Sequence, residues 1–274
     1  MTDLYAVFGN PIAHSKSPAI HSAFARVSHQ DLRYEARLAA VDGFKSAISD
    51  FCAAGGKGAN VTVPFKEEAY RLCTQLSERA ARAGAVNTLV FNGTEIYGDN
   101  TDGAGLVRDI THNLACPLAG KRILLLGAGG AARGVIAPLL AAQPAALFMA
   151  NRSADKAEVL AAVFSDLAVV GAGNFAKTAG KSFDLVINAT SASLAGASLP
   201  LPSGIFAAGS LAYDMMYGKG ETPFLALARE QGVGRCADGL GMLVEQAAEA
   251  FFVWRGVRPE TLAVLADLRA ALGA

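Results

Sequence analysis

Residues 122–132 read RILLLGAGGAA. The run ILLL at 123–126 is unbroken and apolar, as in a parallel strand covered on both faces. Gly127, Gly129 and Gly130 follow at once. A tight turn needs positive φ, and close approach of backbone to a pyrophosphate needs the absence of a Cβ; glycine meets both demands. The helix expected from Gly130 then points its unpaired N–H groups and its positive end at phosphates. The spacing is GxGGAA rather than GxGxxG, with Ala132 at the third small position, which the fingerprint tolerates. On its own the motif also describes an ordinary strand-turn-helix corner. The strand before it and the helix after it are the context a dinucleotide site requires.

Working outward, the chain has 274 residues, room for one or two domains. Hydrophobic residues at 52% and charged ones at 18% describe a well-buried globular chain and exclude disorder. Lys+Arg and Asp+Glu both number 24, so the net charge is zero and nothing favours a nucleic-acid partner held by bulk electrostatics. Cys52, Cys73, Cys116 and Cys236 lack the close spacing of a zinc or redox motif and read as reduced, mostly buried thiols of a cytoplasmic protein, with a disulfide pair as the alternative. The N-terminus has no basic and apolar blocks of a signal peptide. Two uncharged runs, 134–151 and 185–213, are interrupted by prolines, glycines and polar residues and do not read as membrane spans.

The N-terminal third is also α/β in pattern. LYAVFG at 4–9 is a strand, and the loop NPIAHSKSP at 10–18 follows it. Ser15 and Ser17 offer two hydroxyls suited to a polyhydroxylated ligand, since each donates and accepts. Ser17 reads equally well as the cap of a helix opening at Pro18. GGKGANVTVPFK at 55–66 predicts a strand ended by Pro64, with Lys66 in the first turn of the next helix. A lysine there works against the helix dipole, which makes it a candidate functional residue beside the plain reading of a solvated side chain. AVNTL at 85–89 places Asn87 early in a strand, and YGDNTDG at 97–103 leads to Asp102 at a helix start. Asp102 reads equally as a first-turn acid, and Asn87 as a turn amide.

Beyond the glycine turn, a helix with Pro138 inside it and a strand at 145–150 lead to Asn151, Arg152 and Ser153. This strand end is where a dinucleotide site selects its cofactor. An acid there would bind the ribose hydroxyl of NAD; instead Arg152 stands ready for the 2′-phosphate of NADP. Ser153 is expected to cap the following helix. FDLVINAT at 183–190 and residues 211–216 are further strands, the second placing Met215 where it could pack against a nicotinamide ring or simply fill the core. In the long helix at 239–254, Gln246 is the polar exception on an apolar face, a binding candidate or a solvated position.

Taken together, the segments YAVFGNPIAHSKSP, GGKGANVTVPFKEEA, AGAVNTL, GDNTDG, LLGAGGAARGV, NR, FDLVINAT, YDMMYGKGETPFLA and ADGLGMLVEQAA resemble the shikimate dehydrogenases in nearly full-length order. These are NADP-dependent reductases of 3-dehydroshikimate in aromatic amino-acid biosynthesis, and the likeness is closest to the bacterial biosynthetic form. The resemblance implies an N-terminal α/β substrate-binding domain and a Rossmann-like NADP-binding domain separated by a cleft that closes on binding. The expected limits are 1–103 with 238–274 for the first and 104–237 for the second. It implies that Ser15, Ser17, Thr62, Asn87, Asp102, Tyr217 and Gln246 bind shikimate, and that Lys66 is the acid/base lysine paired with Asp102. Gly127, Ala128, Gly129, Gly130, Ala131, Asn151, Arg152, Ser153, Met215 and Gly239 would hold NADP. The family has an acid where Glu78 stands, sometimes assigned to the cofactor, although a carboxylate facing phosphates is unfavourable. The chain departs from the family after NAT, where Ser191-Ala192-Ser193 replaces the usual paired serines and glycine, and at Ser153, where threonine is frequent. A small-molecule substrate, a cytoplasmic location, and a monomer or homodimer without nucleic-acid or membrane partners are expected. The competing functions are a quinate/shikimate dehydrogenase that also uses NAD, and a non-catalytic NADP-binding regulator.

Overall fold

The computed structural model describes residues 2–273. Met1 and Ala274, which fall within the expected domain limits, lie outside the described residues. The chain forms two compact units, one of residues 1–105 with 244–265 and one of residues 106–243 with 266–274.

Unit 1 is built on a six-stranded sheet. Its elements are β1 (Asp3–Gly9), α1 (Ser17–Val27), β2 (Leu32–Leu38), α2 (Phe44–Ala53), β3 (Gly56–Val61), α3 (Lys66–Leu72), β4 (Gln75–Leu76), α4 (Glu78–Ala83), β5 (Thr88–Asn92) and β6 (Glu95–Asp99). The sheet order is β2-β1-β3-β5-β6-β4. β1 pairs in parallel with β2 and β3, while β5 runs antiparallel to β3 and to β6. The β5–β6 hairpin turns at Gly93, whose φ is +63°. Reversal at β5 has a functional consequence. The carboxyl ends of β1, β3 and β6 and the amino end of β5 all meet at one edge of the sheet.

The core of this unit is aromatic. Phe8 meets Phe51 edge-to-face at 5.5 Å, and Phe44 stacks on Phe65 at 4.7 Å. On the other face, His21 of α1 stacks on the Tyr34 ring at 4.2 Å, and Phe251 and Trp254 pack around it. An ion network fastens the end of β6. Arg79 grips Asp99 with two hydrogen bonds of 2.7 and 2.5 Å, and its remaining nitrogen reaches Glu249 at 2.9 Å. Burial pushes the Asp99 carboxyl up, but the Arg79 hydrogen bonds and charge outweigh it and hold the group below its usual range.

Unit 2 contains β7 (Arg122–Leu126), α6 (Gly130–Ala141), β8 (Ala146–Ala150), α7 (Ala154–Ala162), β9 (Val170–Gly173), β10 (Phe183–Asn188), β11 (Phe206–Asp214), α8 (Pro223–Glu230) and β12 (Arg235–Asp238). Every pairing is parallel, and the order is β12-β11-β10-β7-β8-β9. This is the doubly wound nucleotide-binding order, with its switch point between β7 and β10. Residues 123–126 are fully buried, which explains their unbroken apolar run. Two strands lie outside the sequence expectation. β9 reads VGAG, too glycine-rich to signal a strand, and β12 is only four residues long.

The chain passes between the units inside α5 (Asp102–Arg108), α9 (Leu240–Arg255) and α10 (Leu262–Leu272). After α5 the helix widens into one π-helical turn, Asp109–Asn113, rather than continuing as a uniform α-helix. Among the described residues no helix is long and apolar enough to cross a membrane, no metal cluster forms, and all four cysteines are free. Only Cys116 is buried; the other three are half-buried, which corrects the expectation of mostly buried thiols.

Candidate active site

At the shared edge of the unit 1 sheet, five chain segments converge. The loop after β1 carries Ser15 and Ser17. Ser17 is the first residue of α1, and Lys16 occupies the cap position without a side-chain bond, so Ser17 does not cap the helix as one reading of the sequence had it. Instead the Ser15 hydroxyl accepts from the Ser17 N–H at 3.3 Å. The loop after β3 carries Thr62, whose N–H donates to the Phe8 carbonyl at 2.9 Å. The Asn10 N–H donates in turn to the Val63 carbonyl at 3.0 Å, lacing the two loops together. Gly9 is required at this seam, because a Cβ there would stand 2.5 Å from Thr62 Cγ2.

Lys66 opens α3, with Glu67 and Glu68 beside it in the first turn. Its ammonium does not drift into solvent but meets Asp102 Oδ2 at 2.5 Å. The other carboxylate oxygen, Oδ1, accepts from Asn87 Nδ2 at 2.8 Å. Asn87 is itself held by backbone: its N–H donates to the Asp99 carbonyl at 3.0 Å, and its carbonyl accepts from the Val61 N–H at 2.8 Å. Gln246 of α9 joins through Oε1, which lies 3.4 Å from Asn87 Nδ2. Gly105 allows this approach, since a Cβ there would lie 2.5 Å from the Gln246 nitrogen. Lys66, Asp102, Asn87 and Gln246 thus form one connected polar cluster, partly exposed at Lys66 and Asp102 and buried at Asn87.

Sequence reasoning missed the layer behind this cluster. Asn60, Thr88 and Thr101 are buried and hydrogen-bond to Asn87 or to each other. A signal was present. Asn60 and Thr88 are polar residues inside strands whose neighbours are buried and apolar, a placement that demands partners. Glu78, by contrast, pairs with Arg82 one turn along α4 and is largely exposed.

The remaining candidates lie in unit 2. Gly127 has a φ of +110°, and a Cβ on it would stand 3.2 Å from the Ala189 carbonyl oxygen and Thr190 Cγ2. Only glycine fits that corner. Gly129 and Gly130 are exposed, and a Cβ on either would meet nothing within 4 Å. The fold therefore does not need glycine at 129 and 130, and the bare backbone there is open to a ligand. α6 starts there with no side-chain cap and no acid in its first turn, so its N–H groups and dipole are left for an anion. Ala128 and Ala131 complete the small-residue turn.

At the end of β8, Asn151 donates through Nδ2 to the Ser153 carbonyl at 3.0 Å. Arg152 is exposed and has no ion-pair partner among the described residues. Ser153 occupies the cap position of α7, but its hydroxyl makes no cap bond, contrary to the sequence expectation. Met215 is buried at the end of β11, and Gly239 lies so close to it that a Cβ would strike the Met215 carbonyl. Tyr217 follows in the same loop; burial raises its phenol, which keeps it protonated and able to donate.

A buried carboxylate, Asp214, anchors the two loops here. It accepts from Asn188 Nδ2 at 3.0 Å, Ser193 Oγ at 2.6 Å, Thr222 Oγ1 at 2.6 Å and the Met216 N–H at 3.0 Å. Ser193 belongs to the segment where the sequence departs from the resembling family, and the departure supplies a tether rather than removing one.

The arrangement matches known proteins throughout. Residues 7–89 match the family described as shikimate dehydrogenase substrate binding domain. Residues 109–195 match shikimate/quinate 5-dehydrogenase, and residues 239–269 match the shikimate 5′-dehydrogenase C-terminal domain. The chain is 79% identical to shikimate dehydrogenase (NADP(+)) of Dechloromonas aromatica, over 99% of both chains. Among solved structures it is similar to an Ael1 enzyme from Pseudomonas putida, at 50% identity and a TM-score of 0.93, covering 97% of this chain and 98% of that one. It is also similar to the Thermus thermophilus shikimate 5-dehydrogenase solved with NADP(H) and shikimate, at 32% identity and a TM-score of 0.88, covering 99% and 100%.

Proposed function

The chain belongs to the shikimate dehydrogenase family, and we propose that Lys66 and Asp102 carry its chemistry. The reaction is the reversible, NADP-dependent reduction of 3-dehydroshikimate to shikimate, a step of aromatic amino-acid biosynthesis. Bound NADPH supplies a hydride to the ketone carbon. The carbonyl oxygen then gains negative charge and needs one proton to become the hydroxyl. Lys66 Nζ, charged and anchored on Asp102, keeps N–H donors for that oxygen and delivers the proton. In the oxidative direction it takes the proton back. Asp102 fixes the ammonium and, with Asn87, offers hydrogen bonds to a neighbouring substrate hydroxyl. Ser15, Ser17, Thr62, Gln246 and Tyr217 bind the remaining hydroxyls and the carboxylate. The observation that carries this reading is the Lys66–Asp102 contact of 2.5 Å, made by a lysine that opens a helix against the local dipole preference.

Gly127, Ala128, Gly129, Gly130 and Ala131 would hold the cofactor's pyrophosphate, Asn151, Arg152 and Ser153 its 2′-phosphate, and Met215 and Gly239 its nicotinamide end. We assign substrate binding to residues 1–103 with 238–274 and NADP binding to 104–237, although 238–243 and 266–274 pack with the second compact unit. Four free cysteines support a reducing, cytoplasmic setting, with the enzyme working as a monomer or homodimer.

An absorbance assay at the NADPH band tests the whole reading. Shikimate with NADP should give turnover, with kcat/KM well above that for quinate or for NAD; no shikimate-dependent signal would leave a non-catalytic NADP-binding protein. Replacing Arg152 by alanine should raise KM for NADP by about ten- to a hundredfold, the value of a charge-assisted hydrogen bond, and leave KM for NAD unchanged. Equal effects on both cofactors would remove Arg152 from the 2′-phosphate.

A further inference from the structure

Behind Asn87 runs a chain of hydrogen bonds whose direction is fixed by backbone groups. Asn87 Oδ1 faces the Thr101 backbone N–H at 2.9 Å, and an N–H only donates, so this end of the amide must be the oxygen. Asn87 Nδ2 is therefore the end that faces Asp102. Likewise Asn60 Nδ2 faces the Asn87 backbone carbonyl at 3.1 Å, and a carbonyl only accepts, so Asn60 Oδ1 is the end that faces the Tyr34 hydroxyl at 2.8 Å. Tyr34 must then donate. The same Asn60 Nδ2 lies 3.2 Å from Thr88 Oγ1, which accepts and so turns its own hydrogen toward Asn87 Oδ1 at 2.8 Å. The sequence Tyr34 to Asn60 to Thr88 to Asn87 to Asp102 runs one way only.

Every member between the ends is buried, so each group depends on its partners in the chain for its hydrogen bonds. The Tyr34 ring is held in place by the His21 ring stacked on it. Thr101 also donates to Asn87 Oδ1, through its N–H at 2.9 Å and its hydroxyl at 3.1 Å, so Thr88 supplies one of three donors and the shortest contact. Losing it weakens the hold that keeps the amide oxygen turned away from the Asp102 carboxylate.

We propose that Tyr34, Asn60 and Thr88 are positioning residues that, together with Thr101, tighten the Asn87 amide with its NH2 toward Asp102 and so hold the carboxylate in the geometry that anchors Lys66. The proposal rests on the catalytic reading of Lys66 and Asp102. Thr88 is its hinge, because its one hydroxyl both accepts and donates.

The test compares Thr88→Val, Thr88→Ser and Tyr34→Phe with the unaltered enzyme by steady-state kinetics and thermal melting. Thr88→Val keeps the volume but removes the hydroxyl. Its kcat/KM for shikimate should fall about tenfold, equivalent to ~1.4 kcal/mol, with KM for NADP unchanged. Thr88→Ser should restore kcat/KM to within about twofold of the unaltered enzyme, since it restores the hydroxyl. Tyr34→Phe, which keeps the ring on His21, should lower kcat by roughly threefold; its hydroxyl also meets Ser17, so a change confined to KM for shikimate would report that contact and count against the relay. The proposal falls if Thr88→Val keeps full kcat/KM, or if its loss extends to KM for NADP and is not rescued by Thr88→Ser. Should Thr88→Val fail to fold, Tyr34→Phe decides in the same way. If Lys66→Ala loses activity while these variants do not, only the relay is wrong. If Lys66→Ala keeps kcat, the catalytic reading beneath the relay is wrong and the proposal goes with it.

Discussion

Lys66→Ala should lower kcat by about 10²- to 10⁴-fold, the usual contribution of a positioned acid/base group, with only a modest change in KM for shikimate. The split between the two constants follows from the geometry. Ser15, Ser17 and Thr62, proposed to bind substrate, make no hydrogen bond to Lys66, so their hold on substrate should outlast the lysine. What disappears is the N–H donor that meets charge only as the alkoxide develops, so the loss falls on the transition state. The variant also leaves Asp102 Oδ2 without its cation. Asp102 keeps the Asn87 amide on Oδ1 and is partly exposed, so water replaces the ammonium and the fold survives. Stopped-flow hydride transfer and steady-state turnover, measured together with shikimate and NADP, check this. A retained kcat with a raised KM would make Lys66 a binding residue only.

The second large effect concerns stability in acid. His21 is fully buried among Tyr34, Phe24, Phe251 and Trp254, and neither ring nitrogen meets a hydrogen-bond partner within the described structure. Burial lowers its pKa from the usual 6.5 to about 3. The folded imidazole therefore stays neutral while the unfolded one protonates. Between pH 6.5 and 3 the unfolded chain binds more protons, so stability is fully present above that window and is lost as pH falls through it. The linkage amounts to about 2 kcal/mol by pH 5 and roughly 4 kcal/mol by pH 3. His21→Phe keeps an aromatic ring in the site and removes the proton. Urea unfolding of both proteins at pH 7 and pH 5 should show the unaltered enzyme losing about 2 kcal/mol more than His21→Phe over that interval. Equal losses would assign the acid sensitivity to other groups. Carboxylates held below their usual range, Asp99, Asp184 and Glu35, lose their contribution as pH falls below the ordinary carboxylate value of about 4, beneath the pH 5 end of this test.

The two effects meet in one place. His21 packs on Tyr34, the first donor of the relay that ends at Asp102.

Much of this protein was legible along the chain because the relevant physics is local. The apolar run 123–126, the glycines after it and the helix beyond needed no partner to be recognised. Gly127 confirms the argument at its strongest, with a positive φ and a crowded Cβ position. Lys66 stands out along the chain by its conflict with a helix dipole, and the structure pairs it with Asp102. Other features depend on residues far apart in sequence, and local pattern is silent about those. Ser17 looked like a cap because its neighbours suit one, yet the chain entering from β1 sets the cap at Lys16. β9 is a strand because β8 offers it hydrogen bonds, not because VGAG favours one. Asp102 could have been a plain first-turn acid until the antiparallel β5–β6 pair carried it to Lys66, 36 residues away. Asn60 and Thr88, 28 residues apart, face each other only through the register of β3 against β5. The sequence by itself determined which turns, cofactor and chemical groups the protein carries, since these follow from backbone sterics and side-chain chemistry. The tertiary structure alone decided which donor meets which acceptor, because strand order and register, not spacing along the chain, set those distances.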